Sequence, residues 1–320
     1  MRKYPSLDFN QVNTYSIRER KSKVKLADEA VPFKPGTSFR AFLNGLPPIL
    51  AAGEFKEVIE AVARAHESGK IVMVGMGAHP IKVGLNPILI DLMEKGIISS
   101  LSMNGAGIIH DFELAYIGHT SEDVAAELAS GTFGMAEETG RILNRMIREG
   151  AAKEEGIGEA LGKRLTDLSF PYRHNSLLAA GARLGIPVTI HVALGTDIIH
   201  MHPEADGSAI GYGSMRDFQR LTSVVSQLEG GVYLNIGSSV IMPEVFLKAL
   251  TVARNLKYKV ENFTTVNFDF IQHYRPVTNV VQRPTLQGGR GYRLTGHHEI
   301  MIPLLAAGIL ERLSEPGPSR

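Results

Sequence analysis

The stretch FKEVIEAVARAHESGKIVMVGMG, residues 55–77, joins two hydrophobic patterns of different period. Its first part repeats apolar residues at three- and four-residue spacing, which predicts an amphipathic helix that ends at Gly69. Its second part, KIVMVGMG, is too apolar for a half-exposed strand and is typical of a strand buried in a parallel sheet. A helix, a buried strand and a glycine turn in this order predict an α/β protein.

The same alternation continues along the chain. Further strands are predicted in IISSLSMNGAG, IPVTIHVALG, VYLNIG and FTTVNFDF. Helices are predicted between them, in NPILIDLMEKG, residues 121–150 and 154–167, HNSLLAAGARLG, SMRDFQRLTSVVSQLEGG, PEVFLKALTVARN and IMIPLLAAGILERL. Right-handed crossovers make such strands parallel. We therefore expect a doubly wound, mostly parallel, Rossmann-like sheet with helices on both faces, in one domain of residues 36–315. Residues 1–35 are polar and aperiodic, which predicts an N-terminal arm.

Composition excludes several classes of protein. The 320 residues carry 34 basic and 33 acidic side chains, a net charge of +1, so no overall field attracts nucleic acid or an anionic membrane. The chain contains no cysteine, which excludes disulfides, thiolate metal sites and a cysteine nucleophile. No apolar run has the length of a signal peptide core or a membrane helix. These features predict a soluble, cytoplasmic protein.

Three of the predicted strands lead directly into glycine-containing turns. The glycines are Gly75 and Gly77, Gly105 and Gly107, and Gly237, which two serines follow. Glycine lets a backbone approach a phosphate, and the N-terminus of the next helix offers N–H groups to it. Lys82 lies nearby in sequence and could meet a phosphate charge. The turns favour a nucleotide or dinucleotide, although strand–helix loops also use glycine for steric reasons.

The segment ALGTDIIHMHPEADG, residues 193–207, concentrates acids and histidines after a predicted strand. Three explanations remain open at this point. His200 and His202, together with His298 from a later GHHE segment, could bind zinc or manganese. The polar residues could instead form the rim of the sheet. They could also bind a substrate without a metal. The absence of an HExxH helix weakens the case for a metal site and so favours this third explanation.

The order of these motifs resembles the deoxyhypusine synthase family, including its homospermidine-synthase-like relatives, over about residues 35–310. IVMVGMGAHPIKVGLNPILIDLMEKGII is similar to the family's first NAD-contacting strand, loop and helix. SLSMNGAGIIHDFELA is similar to its TAGGVEED turn, and IPVTIHVALGTD to its IPVFxPALTD strand end. IGSSV and PEVFLKALTVARN resemble its GGGVP strand and helix, and the match continues from RPVTN to IMIPLL.

The resemblance implies NAD as cofactor and a homotetramer with sites between subunits. The family uses NAD to oxidise the secondary amine of spermidine, and it passes the aminobutyl group to an acceptor amine through a lysine. By position, Gly75, Gly77, Ala78 and Lys82 would lie along NAD, as would Asn104, Gly105, Ala106 and Gly107. Asp197 matches the aspartate that binds a substrate ammonium.

The chain departs from the family at several functional positions. Pro284, which follows Arg283, stands where the family has its lysine, and arginine is a poor imine former. Ile109 and His110 replace a pair of acids, and Val245 and Phe246 replace a pair of histidines. The aspartate-rich loop before RP is shortened to FDFIQHYRP. Deoxyhypusine synthesis and spermidine are therefore in doubt.

We expect an NAD-dependent enzyme that oxidises or transfers a small, cationic, polyamine-like substrate without the family's lysine. Asp197 would orient the cation, and His200 or His297 would accept the proton released on oxidation. Asp269 and His273 are further candidates for the same pocket. Two alternatives are a non-catalytic nucleotide-binding sensor or scaffold, and a metal-dependent hydrolase built on His200, His202 and His298.

Overall fold

The computed structural model describes residues 4–314. Its core is one six-stranded sheet with the order β3-β2-β1-β4-β5-β6, in which every neighbouring pair is parallel. The strands are β1 (Val72–Met76), β2 (Ser100–Asn104), β3 (Val188–His191), β4 (Val232–Ile236), β5 (Thr264–Asp269) and β6 (Arg290–Thr295). This confirms the predicted Rossmann-like α/β fold, with a sheet that is parallel throughout.

The helices cover both faces of the sheet and connect its strands. They are α1 (Phe39–Gly45), α2 (Leu50–Glu67), α3 (His79–Lys82), α4 (Asn86–Glu94), α5 (Gly105–Ile117), α6 (Val124–Leu128), α7 (Glu137–Ala151), α8 (Ile157–Asp167), α9 (Leu177–Leu184), α10 (Gly207–Val225), α11 (Ile241–Asn255), α12 (Tyr274–Pro276) and α13 (His298–Leu313). The predicted helix ends at Gly69 and Gly96 are confirmed, and both glycines have positive φ. A glycine tolerates that conformation at a helix end without a Cβ penalty.

Three elements differ from the sequence predictions. The strand β6 was not predicted, because its residues alternate between exposed and buried and resemble a loop in composition. The helix α5 was taken for a glycine turn, yet Asn104 caps it and Gly105 and Gly107 lie in its first turn. After α12 the chain forms a π-helix, Val277–Gln282, and a 3-10 turn, Arg283–Thr285, in a segment for which no secondary structure was predicted.

The two faces of the sheet have different chemistry. One face is apolar and packs with α2, α4 and α13 around Val74, Leu101 and Leu234. On the other face, beneath α10 and α11, small polar side chains alternate with glycine and aromatic residues. Many of these polar groups bond one another; Thr189 Oγ1, for example, donates to Ser102 Oγ at 2.9 Å. Such a buried polar face is stable because its groups are mostly paired.

Asp111 braces the helices behind the carboxyl end of the sheet. Its side chain, fully buried in α5, accepts the Leu177 and Leu178 N–H groups at the start of α9 and the Ser176 hydroxyl. The Asn86 amide in α4 is a fourth donor at 3.2 Å. Burial raises the pKa of Asp111 to about 6, although all four donors favour the anion. The carboxylate therefore fixes α5 to α4 and α9.

Residues 4–38 lie along the outside and contain three short 3-10 turns. Their large apolar side chains are mostly solvent-exposed, from Tyr4 at 79% to Phe33 at 61%. The division into an arm of residues 1–35 and one domain of residues 36–315 stays a prediction; residues 1–3 and 315 lie outside the described residues. Within residues 4–314, no helix has both the length and the apolarity to cross a membrane.

Candidate active site at the carboxyl edge of the sheet

The strand order changes direction between β1 and β4. From β1 the sheet grows outward through β2 and β3 on one side and through β4, β5 and β6 on the other. Ligands of open parallel sheets bind at the carboxyl edge near such a switch point. At this switch point Gly77 and Gly237 lie back to back, and a Cβ at Gly77 would overlap the Gly237 carbonyl oxygen. The Gly77 N–H donates to the Ile236 carbonyl at 3.2 Å.

Close packing within the chain also requires glycine at the other glycine positions of this edge. A Cβ at Gly75 would overlap the Tyr233 hydroxyl, and one at Gly105 would overlap Asp197 Oδ2. A Cβ at Gly107 would lie 3.0 Å from the Met103 side chain. Packing therefore accounts for these glycines without a nucleotide, and their contact with NAD stays a prediction.

Hydrogen-bond donors are nevertheless concentrated at the edge. The helices α5 and α11 both begin here, and the N–H groups of a first helical turn have no partner inside the helix. Asn104 Oδ1 accepts the Gly107 N–H at 3.2 Å. The exposed Lys82 forms no ion pair within residues 4–314. The edge thus offers several donors and a cation to a phosphate group.

Asp197 and His200 form a buried pair above the end of β2. Their side chains are 6% and 7% exposed, and Asp197 Oδ2 lies 4.0 Å from His200 Nε2. His200 Nδ1 accepts the N–H groups of Gly195 and Asp197 at 3.1 and 3.2 Å. The neutral ring therefore carries its hydrogen on Nε2. Neither this Nε2 nor Asp197 Oδ2 has a hydrogen-bond partner.

The electrostatics of this pair favour a cation. Burial raises the pKa of the Asp197 carboxyl, while the nearby His200 opposes this rise. A buried carboxylate without a partner is costly, and a cation bonded to it removes that cost. The pair thus holds an acceptor and a donor that are both buried and without a hydrogen-bond partner.

His79, which is half-buried, and His298, which is buried, form a second group at the switch point. Their Nδ1 atoms are 2.8 Å apart, although 219 residues separate them in sequence. His298 Nε2 lies 3.1 Å from the Phe268 carbonyl oxygen at the end of β5. The exposed Phe270 ring lies 6.1 Å from the His79 ring and stacks on His297 at 5.9 Å. No role was predicted for His79, which stands directly after the glycine turn that follows β1.

A further imidazole belongs to α5. His110 Nδ1 lies 2.7 Å from Thr120 Oγ1, which donates its own hydrogen to Glu113. Burial, and then the nearby Lys82, lower the pKa of His110 to about 4. His110, at a position where the sequence resemblance predicts an acid, thus carries a ring that stays neutral near pH 7.

The remaining predicted histidines lie apart. His202 Nδ1 accepts the Glu204 N–H, and its ring packs on Gly140 of α7. His297 is 65% exposed beside Glu299, and His273 is exposed. Within the described part of the chain, no group of three side chains could hold a metal ion. The structure therefore does not bring His200, His202 and His298 together.

The structure also shows where Asp269 lies, and where two residues lie at which the chain departs from the family pattern, Pro284 and Phe246. Asp269, which is buried at the end of β5, accepts the N–H of Phe270 at 2.9 Å. Pro284 is buried in a 3-10 turn, and its carbonyl accepts from Arg254 at 3.0 Å. Phe246 is core, stacked on Tyr233 at a centroid distance of 3.9 Å.

A cleft of about 360 Å³ opens at the end of β3, between α10 and α11. His191 contributes a polar group to it, while Ile210, Met215 and Ile241 are among its apolar walls. Burial lowers the pKa of His191 to about 3, so its ring is neutral. The cleft gives a small, partly apolar molecule room at the same edge of the sheet.

Comparison with solved structures identifies the fold. A putative deoxyhypusine synthase from Entamoeba histolytica matches with a TM-score of 0.52 and 13% identity, over 88% of this chain and 96% of that one. A conserved putative LOR/SDH protein from Methanococcus maripaludis S2 matches with 0.53 and 16%, over 83% and 71%. AgrE, solved in a ternary complex with ornithine and NAD+, matches with 0.52 and 13%, over 82% and 33%.

These likenesses show a shared fold, a parallel α/β sheet of the kind found in NAD-binding dehydrogenases. Within that class the chain has the deoxyhypusine synthase-like fold, as its sequence motifs predicted. The chain spans about a third of the length of AgrE and of the cyanobacterial arginine dihydrolase ArgZ, which also matches. No protein-family model and no curated protein matches the sequence.

Proposed function

We propose that the protein is an NAD-dependent enzyme that oxidises a small cationic amine, or transfers part of it. The unpaired, buried Asp197 Oδ2 beside the unpaired His200 Nε2–H is the observation that carries this proposal. An ammonium group can donate to the carboxylate, while His200 donates to an oxygen or an unprotonated nitrogen of the same molecule. AgrE, a structural neighbour, has been solved with ornithine and NAD+, and ornithine is such an amine.

The residues present fit NAD at this edge. The switch point between β1 and β4 and the starts of α5 and α11 supply backbone donors for a pyrophosphate. Ala78 and Lys82 would lie along NAD after β1, and Asn104 and Ala106 after β2. When bound, NAD accepts a hydride from the substrate carbon.

The chain's own residues bind and orient the amine. Asp197 packs its carboxylate closely on Gly105, where a Cβ would overlap Oδ2. Because the site is buried, a charge-assisted hydrogen bond there is stronger than it is in water. The predicted roles of His200 and His297 as proton acceptors stay predictions. The geometry of His200 suits a donor, since its Nδ1 already accepts two N–H groups.

The proposal includes a homo-oligomer, with a tetramer as its predicted form. Large exposed apolar side chains occur along residues 4–38 and around the carboxyl edge, at Leu194, Met215 and Tyr274. Exposed apolar surface of this extent is typical of an interaction site. Light scattering at micromolar concentration checks this point, and we expect a mass above the 34.8 kDa of one chain.

The test is NAD reduction, followed at 340 nm, with the purified full chain and a panel of L-ornithine, L-arginine and putrescine. We expect at least one cationic amine to reduce NAD, and a neutral alcohol of similar size to react far less. NAD binding with no reduction by any amine would instead indicate a nucleotide-binding sensor. Metal-dependent hydrolysis without NAD would instead indicate the alternative of a metal-dependent hydrolase.

A further inference from the structure

The imidazoles of His79 and His298 form a chain whose hydrogens can be assigned. A carbonyl oxygen accepts hydrogen bonds, so His298 Nε2 carries the hydrogen that bonds the Phe268 oxygen. His298 is 1% exposed, and the polar atoms that contact its ring are the Phe268 carbonyl oxygen and His79 Nδ1. A neutral imidazole has one N–H, so His298 Nδ1 must accept. His79 Nδ1, 2.8 Å away, is therefore the donor.

This assignment leaves the lone pair of His79 on Nε2. No hydrogen bond within residues 4–314 reaches that atom, and the half-buried ring stands at the end of β1, at the switch point. His298 is fixed in turn, because its ring packs against Gly237, where a Cβ would lie 2.7 Å from its Cε1. Two strand ends and α13 thus hold the basic nitrogen of His79 in one direction.

Burial is the main cause of a lowered pKa at His79. Its pKa is lowered first by burial, then by His298 and, more weakly, by Lys82. Glu299 and Asp269 act in the opposite sense, and the net direction is down from 6.5. A lowered pKa means that the ring loses its proton as the pH rises through a value below 6.5, so the basic form is present at neutral pH.

We propose that His79 accepts the substrate's proton and that His298 is the residue that positions it. The inference rests on the proposed amine oxidation and names its proton acceptor. An N–H bond of the substrate ammonium breaks and its proton forms the Nε2–H bond of His79. With NAD bound as the hydride acceptor, the electron pair left on nitrogen would form the C=N bond as the C–H pair leaves. The products would be an iminium ion, NADH and protonated His79.

The other buried imidazoles suit this role less well. His200 Nε2 already carries a hydrogen, because its Nδ1 accepts two backbone N–H groups. His110 has a free Nε2, but its pKa of about 4 makes it a weak base at neutral pH. A general base is most effective when its pKa lies near the working pH.

The first test needs no substrate. Nitrogen-15 NMR of histidine-labelled full chain reports which ring nitrogen carries the hydrogen, and the His79→Gln and His298→Gln variants assign the two signals. We expect the Nδ1–H form for His79 and the Nε2–H form for His298 at pH 7. His79 as the Nε2–H form, or protonated at pH 7, would overturn the inference.

The second test uses the amine that reduces NAD. We expect His79→Gln to lower kcat by about 10²- to 10⁴-fold and to abolish the acid limb of the pH profile, while NAD binding by calorimetry stays unchanged. His298→Leu should cost roughly 10–100-fold, the size seen for partners that orient a functional imidazole. His298→Gln, which keeps a donor and an acceptor, should recover part of this loss. The control is His66→Gln, an exposed histidine that bonds the Gly96 carbonyl.

The outcomes separate this inference from the proposed function. Unchanged kcat and an unchanged acid limb in His79→Gln would overturn the inference and leave amine oxidation standing. Equal losses in His298→Leu and His298→Gln, with both proteins folded, would remove His298 as the positioning residue. No NAD reduction by any amine in the wild type would remove the proposed function, and this inference with it.

Discussion

Replacement of Asp111 by alanine is expected to lower the free energy of unfolding by about 3–5 kcal/mol. The carboxylate accepts hydrogen bonds from Ser176, Leu177, Leu178 and Asn86, and the variant leaves these donors buried without an acceptor. Each unsatisfied buried donor costs about 1–3 kcal/mol, although such costs do not add fully. Urea unfolding followed by circular dichroism measures the change.

The matched control is Asp91→Ala in α4. Asp91 is a half-exposed carboxylate that pairs with Lys95, the residue that directly follows α4. Exposed pairs of this kind contribute about 0.3–0.5 kcal/mol, so this variant should unfold almost like the wild type. Equal, small losses in the two variants would show that Asp111 does not brace α5 against α4 and α9.

Asp197→Asn is expected to weaken binding of a cationic amine by about 1.5–3 kcal/mol, the size of a hydrogen bond to a charged group. That corresponds to a loss of about 10- to 150-fold in affinity. The amide has nearly the same shape, so the packing on Gly105 and the fold should persist. NAD affinity should change little. Separate calorimetric titrations with L-ornithine and with NAD give the affinity for the amine and the affinity for NAD.

Glu204→Gln is the control variant, because it also replaces a carboxylate by an amide and removes one negative charge. Glu204 is a partly exposed carboxylate seven residues further along the chain, paired with Arg148. Its loss should leave amine binding unchanged, because the carboxylate is already neutralised and solvated. If Asp197→Asn weakened NAD and the amine equally, Asp197 would be a structural residue and would have no place as the amine's anchor.

The order of strands and helices was predictable because buried parallel strands and amphipathic helices have distinct periods. The five predicted strands lie where VMVGM, SLSMN, VTIH, VYLNI and TTVNFD occur. The strand β6 was missed because it covers the edge of the sheet and alternates exposed with buried residues. The helix α5 was missed because Gly105 and Gly107 conceal a helix start that Asn104 caps through its side chain.

Only the part of the site whose residues are close together in the sequence was predictable. Asp197 and His200 are three residues apart, and the segment that contains them was recognisable as polar and strand-terminal. The pairing of His79 with His298 joins the first and last strand-to-helix connections, so no local pattern reveals it. The one available signal was a histidine placed directly after a buried strand and its glycine turn. The glycine turns were partly misleading as evidence for a nucleotide. Close packing against Asp197, Tyr233 and Gly237 already requires glycine at these positions.

The most direct test of the central claim is calorimetric titration of the full chain with NAD and with NADH. The account predicts one site per chain for each, with a dissociation constant of about 1 μM to 1 mM, the range in which enzymes hold such ligands. Circular dichroism on the same sample confirms that the protein is folded. No heat of binding for either nucleotide at millimolar concentration, with folded protein, would contradict the claim that this carboxyl edge is an NAD site.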